Sequence, residues 1–168
     1  MNETIAQYSA RIGGYIEGKD PLVVQRQTVE TLTRLIEGVP EEALTRESAP
    51  GKWSVRDVLA HLAEAEMVST WRYRQMIEQS SVTLTSFNQE EWARLGDYGA
   101  TEPKESLEML RILRKKNLQM FARLTPEEWE CFGMHSERGK MTVEDLMRQI
   151  AGHDLNHIAQ VREMVAKA

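Results

Sequence analysis

One stretch of this chain occurs twice. Gly51-Lys52-Trp53-Ser54-Val55-Arg56-Asp57-Val58-Leu59 is matched, 88 residues further on, by Gly139-Lys140-Met141-Thr142-Val143-Glu144-Asp145-Leu146-Met147. Each copy reads as the start of a helix. A glycine turn leads to a bulky residue, then to a hydroxyl residue (Ser54 or Thr142) that can cap the first turn, with an aspartate three positions later to close a capping box. Trp53 and Met141 precede the caps and can staple against the first turn from the core side. Two helices with one start signal are structural counterparts within a single bundle.

Helical periodicity accounts for most of the remaining chain. Asp20 can cap and Pro21 fits a first helical turn, after which Leu22, Val29, Leu32, Leu35, Ile36 and Val39 recur at helical spacing. The helix from Ser54 carries Val55, Val58, Leu59, Leu62, Ala65 and Val68 and continues towards Met76 and Ile77, about 25 residues, a length that suits a bundle. A third runs from near Pro103 to Leu124 on Leu107, Leu110, Ile112, Leu113, Leu118 and Phe121. The fourth opens at Thr142 and runs almost to the end through Leu146, Ile150, His153, His157, Val161 and Met164. A shorter helix, from about Thr4 to Ile16 and interrupted at Gly13-Gly14, precedes them. Strand-like alternation is confined to Ser81 to Phe87, which we expect to be loop. The expected fold is an all-α four-helix bundle with a short extra N-terminal helix. The 168 residues form one domain, 1–168, long enough to bury a core without disulfides.

Other features exclude function classes. With Cys131 as the one cysteine, no intrachain disulfide can form and a reducing cytoplasm is the expected setting. There is no basic, then apolar, leader pattern and no run of about 18 apolar residues, so neither export nor a membrane span is expected. A net charge of −5 argues against a nucleic-acid partner. Arg111, Arg114, Lys115 and Lys116 cluster in sequence, but their spacing spreads them around a helix, which reads as a solvated face.

The chemistry lies in His153-Asp154-Leu155-Asn156-His157. A spacing of four stacks two imidazoles on one helix face, the geometry a divalent ion needs from two neighbouring ligands. Burying both as plain core residues would require partners for four ring nitrogens, whereas a metal takes one from each. His61, at the border of the apolar arc of its own helix, aligns with Gln149 in the repeat, one turn from His153, and could supply the third ligand. Asp154 and Gln160 lie within a turn of the pair and could orient an imidazole or a bound water; Asp154 could also act in catalysis or be a solvated surface carboxylate. Glu64 is a candidate general base or an ordinary border glutamate. His135 reads as a loop histidine and Cys131 as an unactivated thiol. The tryptophans read as staples, with Trp92 able to line the mouth of a pocket.

The HxxxH spacing also suggests the HExxH metalloproteases, but aspartate is shorter than their glutamate and the chain lacks their strand-rich half. Taken together, Gly51-Lys52-Trp53-Ser54-Val55, His61-Leu62 with Glu66, His153-Asp154, His157 and Gln160 resemble the DinB-like superfamily of metal-dependent enzymes, over about Tyr8 to Val165. The resemblance implies an up-down-down-up bundle, a three-histidine site for nickel, zinc or another divalent ion, and frequently a homodimer. It further implies, as one reaction, transfer of a low-molecular-weight thiol to an electrophile, as in some members; hydrolysis is the other that a bound ion allows, and a small molecule is the expected substrate. A non-catalytic metal-binding or dimerising module is the alternative. An ion on three neutral imidazoles keeps its positive charge and can activate water, a carbonyl or a thiol.

Overall fold

The long helices begin where their capping residues stand. In a computed structural model describing residues 3–167, the helices are α1 (Ile5–Ile16), α2 (Pro21–Ile36), α3 (Glu41–Thr45), α4 (Val55–Glu78), α5 (Gln89–Leu95), α6 (Pro103–Phe121), α7 (Pro126–Trp129) and α8 (Val143–Ala166). Three short strands, β1 (Val82–Leu84), β2 (Phe132–His135) and β3 (Gly139–Thr142), lie in the connections. The repeated start signal folds as the sequence predicts. Asp57 accepts from the Ser54 backbone N–H at 2.8 Å and returns its own N–H to Ser54 Oγ at 3.3 Å, and Thr142 and Asp145 pair at 2.9 and 3.0 Å.

Registers across the helices fix their directions. Leu59 and Leu62 share a core with Leu107 and Leu110, Glu66 meets Arg114, and Tyr73 meets Phe121 at 4.9 Å, so α4 and α6 run parallel. Gln25 reaches the Met147 carbonyl, Thr28 reaches Asp154, and Leu32 shares a core with Ile158 and Val161, so α2 and α8 are parallel too. His61 faces His153 while Tyr73 shares a core with Leu146 and Ile150, which makes α4 and α8 antiparallel. The bundle α2, α4, α6, α8 is therefore up-down-down-up, as expected. Parallel neighbours cannot be joined by a tight turn. The α4–α6 connection accordingly spans 24 residues, 79–102, and carries β1, α5 and a 3₁₀ turn at Tyr98–Ala100.

Between two apolar cores, one nearer the start of α4 and one nearer its end, lies a buried polar layer. At its centre Arg114 of α6 donates two N–H groups to Glu66 of α4, both at 3.0 Å, one to Asp154 of α8 at 2.7 Å, and one to the Gln25 carbonyl of α2 at 3.1 Å. One guanidinium thus touches all four helices. Thr28 completes Asp154, and Asn117 bridges Glu66 and Thr70.

Four expectations need correction. Arg114 is 3% exposed and does not belong to a solvated face, although Arg111, Lys115 and Lys116 are exposed. Ser81 to Phe87 contains β1, which pairs in parallel with β2, itself antiparallel to β3. That pairing depends on Gly133, where a Cβ would stand 2.5 Å from Leu84 Cγ. α6 ends at Phe121 instead of Leu124. Gly13-Gly14 does not interrupt α1, which is continuous because it lies along α8. The approach is so close that a Cβ on Gly152 would come 2.5 Å from the Ile12 carbonyl oxygen. Among the described residues no helix is long and apolar enough to cross a membrane.

Replacing Arg114 strands two buried carboxylates, and breaking a buried ion pair from one side typically costs about 3–5 kcal/mol. Arg114→Met is expected to lose that much stability in urea denaturation. A loss below 1 kcal/mol would show that the layer is not a stabilising junction.

Candidate metal centre

Antiparallel packing of α4 and α8 brings three imidazoles to one point. His61 Nε2 lies 3.0 Å from His153 Nε2, and His157 Nε2 lies 3.1 Å from the same atom. Hydrogen bonding alone cannot satisfy this arrangement. Nε2 of a neutral imidazole carries either one proton or one lone pair, so His153 can serve one neighbour properly and not both. A cation satisfies all three lone pairs. Nitrogens bound tetrahedrally at about 2.0–2.1 Å stand roughly 3.3 Å apart, close to the separations seen here. The donor set therefore fits a divalent ion.

The surroundings keep the rings unprotonated. Burial, followed by the nearness of His157, pushes His61 down to about 3. Burial also pushes His153 well below its ordinary value, with His157, His61, Arg138 and Arg114 adding to it. His157 is lowered by burial, against the opposing effects of Gln160 and Asp154. Neutral rings have lone pairs to offer. His157 Nδ1 donates to Gln160 Oε1 at 2.8 Å, which fixes the tautomer and leaves Nε2 as the ligand atom. His61 Nδ1 is buried without a hydrogen-bond partner, and the Trp53 ring packs on this histidine with centroids 4.9 Å apart. The staple that starts α4 thus also covers a site histidine, which is why His61 is buried and not at a border.

The other expected residues are placed as follows. Asp154 turns away from the imidazoles to Arg114 and Thr28. Glu64 accepts a hydrogen bond from the Tyr98 hydroxyl at 2.5 Å and does not line the cavity beside the histidines. Cys131 packs near Glu127 in the loop before β2. Trp92 stacks near Phe87 and lines a groove next to the site cavity. His135 is a buried strand residue, not a loop histidine, and it faces the cavity.

That cavity, about 320 Å³, opens from His61 and His153 to the surface. Its polar walls include Tyr8, Arg72, His135, Arg138 and Gln149, with Glu3 and Glu137 at exposed positions, none of them legible as site residues in the sequence. One local signal for this wall was readable. Ser136-Glu137-Arg138 is a three-residue hairpin loop followed by Gly139, here at φ +74°, and it aims Arg138 and His135 at the site.

A four-helix bundle with a cluster of three inward-facing histidines defines the class of this protein. The chain belongs to the DinB superfamily, whose profile matches residues 25–161. It is 24% identical to "Putative metal-dependent hydrolase YfiT" of Bacillus subtilis, over 98% of this chain and 93% of that one. It is 28% identical to a protein of the same description from Oceanobacillus iheyensis, over 81% of each chain. The solved structure of YfiT, described as "a probable metal-dependent hydrolase with an unusual four-helix bundle topology", superposes with a TM-score of 0.82 at 22% identity, covering 88% of this chain and 85% of that chain.

Loss of an outer hydrogen bond on a ligating histidine typically weakens metal affinity about 10- to 100-fold. Gln160→Ala is expected to show that weakening for zinc in competition with a chromogenic chelator, without loss of the folded state. Unchanged affinity would mean that Gln160 does not position His157.

Proposed function

We propose that this protein is a divalent-metal-dependent enzyme acting on a small molecule, with zinc or nickel held by His61, His153 and His157. The observation that carries the reading is the opening of the histidine cluster into a polar-walled cavity. A structural ion is normally enclosed by its ligands, whereas a catalytic one keeps positions open. This favours an enzyme over a non-catalytic metal-binding module.

When bound, the ion supplies a Lewis acid that acidifies water or a thiol and polarises a carbonyl. The chain's own residues set the conditions. Burial keeps the three imidazoles neutral, Gln160 orients His157, and Trp53 with Tyr98 shields His61 from bulk water. In this reading Asp154 and Glu64 are framework residues, the first holding Arg114 and the second holding the Tyr98 hydroxyl over the start of α4. The names of the relatives support hydrolysis as the reaction class, and transfer of a low-molecular-weight thiol is the alternative the same Lewis acid allows. A second copy of the chain belongs to the proposal. The outer face of α4 and α6 leaves Met67, Trp71 and Ile112 exposed, an apolar surface a homodimer could bury.

Elemental analysis of purified protein is expected to find near one divalent ion per chain, absent from His153→Ala. A ligand at a hundred times its dissociation constant stabilises the folded state by about 2.7 kcal/mol, so zinc or nickel should raise the melting temperature of the wild type and not of His61→Ala. Metal-loaded protein should then turn over either a panel of esters and amides or a bacterial thiol with a generic electrophile, and stripped protein neither. Retention of the ion by His153→Ala would overturn the site, and equal rates with and without metal would overturn the enzyme reading.

A further inference from the structure

The far wall of the histidine cavity holds two cations without a counter-ion. Arg72 of α4 is 8% exposed and Arg138 sits on the β2–β3 loop, and among the described residues no carboxylate lies within ion-pairing distance of either. This contrasts with Arg114, which is 3% exposed and held by two carboxylates. Arg72 has one N–H on the Thr85 carbonyl. Arg138 Nε is buried with no partner, and its guanidinium lies over the Tyr8 ring, 5.6 Å from the centroid. The acids on the wall are both exposed: Glu137, of the same loop, and Glu3, which is paired with Arg11. A third donor joins them. His135 Nδ1 accepts the Glu137 backbone N–H at 3.2 Å, so in the neutral ring the proton is on Nε2, on a buried residue that lines the cavity.

Two guanidinium groups on one partly buried wall repel each other unless an anion joins them. Burial, and then the charge of Arg138, lower Arg72 from its ordinary value, with Glu137 opposing. Guanidinium forks match the planar oxygens of carboxylate and the tetrahedral oxygens of phosphate. We infer that Arg72, Arg138 and the His135 Nε2–H form a cradle for an oxyanion group of the substrate, carboxylate or phosphoryl, while the reacting group lies at the three histidines. This deepens the proposed function, because it names the substrate class of that site as a small anionic molecule. The cradle itself does not require the metal.

The probes are inorganic phosphate and succinate, titrated by calorimetry into chelator-stripped wild-type protein and into variants. At least one of the two anions should bind the wild type. Loss of one charge-assisted hydrogen-bond donor should weaken that binding about 10- to 100-fold in Arg138→Met. Arg72→Met also removes the Thr85 contact that ties α4 to the loop after β1, so Arg72→Lys is the companion variant, expected to keep the charge, lose the fork and bind with intermediate affinity. Stronger binding of phosphate assigns a phosphoryl substrate, and stronger binding of succinate a carboxylate. Absence of binding by both anions, or equal affinity in Arg138→Met, would overturn the cradle. His157→Ala separates the two readings: it should lose metal and keep arginine-dependent anion binding. Arginine-dependent binding in a wild type that takes up no metal sinks the metal reading alone. Metal uptake without arginine-dependent anion binding sinks the cradle alone.

Discussion

The structure depends on the guanidinium of Arg114. A buried arginine with carboxylates from two other helices is weak evidence for net stability, since desolvation offsets much of the attraction. Its value lies in register. Glu66 takes two of its donors side by side, which fixes α4 against α6, and Asp154 takes a third, which fixes α8 against both. Glu66 follows His61 by five residues and Asp154 follows His153 by one. Sliding α8 by one turn along α4 would break the ion cluster and separate the histidines together. The polar layer and the candidate metal centre are therefore two consequences of a single alignment.

The same alignment sets the electrostatics of the cluster. His153 lies between cations on two sides, Arg114 in the layer below and Arg138 on the cavity wall, and both add to the burial that keeps it unprotonated. Asp154 and Gln160 act in the opposite sense on His157. Burial dominates at all three rings, so the site presents lone pairs and not protons. A divalent ion fits such a site better than protonated imidazoles, which would repel one another at 3 Å.

Whatever follows from local chemistry was legible in the sequence. Capping boxes at Ser54 and Thr142 placed the two key helices to within a residue, and the four-residue spacing of His153 and His157 placed them on one face. The link from His61 to that pair rested on the repeat, which set the histidines one turn apart in the two copies, whereas the antiparallel packing of α4 and α8 brings His61 and His153 face to face. What the sequence concealed depends on pairing across distance. Arg114 looked solvated because its partners are 48 and 40 residues away on other helices. Alternation was visible at Ser81 to Phe87 but too short to stand as a strand by itself: β1 and β2 are three and four residues long, and their pairing depends on a distant Gly133 that admits Leu84. Arg72 lies on α4 outside any motif, and its role emerges only when a hairpin from the far end of the chain stands opposite.

That hairpin explains why the walls of the cavity belong to the same rigid unit as the histidines. β3 ends at Thr142, which is also the cap of α8, so no flexible linker separates the strand from the helix. The direction of the hairpin is set by the first turn of α8, and the hairpin is held from the other side by β1, whose chain continues α4. Arg138 and His135 are thereby fixed relative to His153, and Arg72 relative to His61. An up-down-up-down bundle with tight turns would have left this end of the helices open. The up-down-down-up order forces a long connection from α4 back along the bundle, and that connection supplies the strand that locks the hairpin over the histidines.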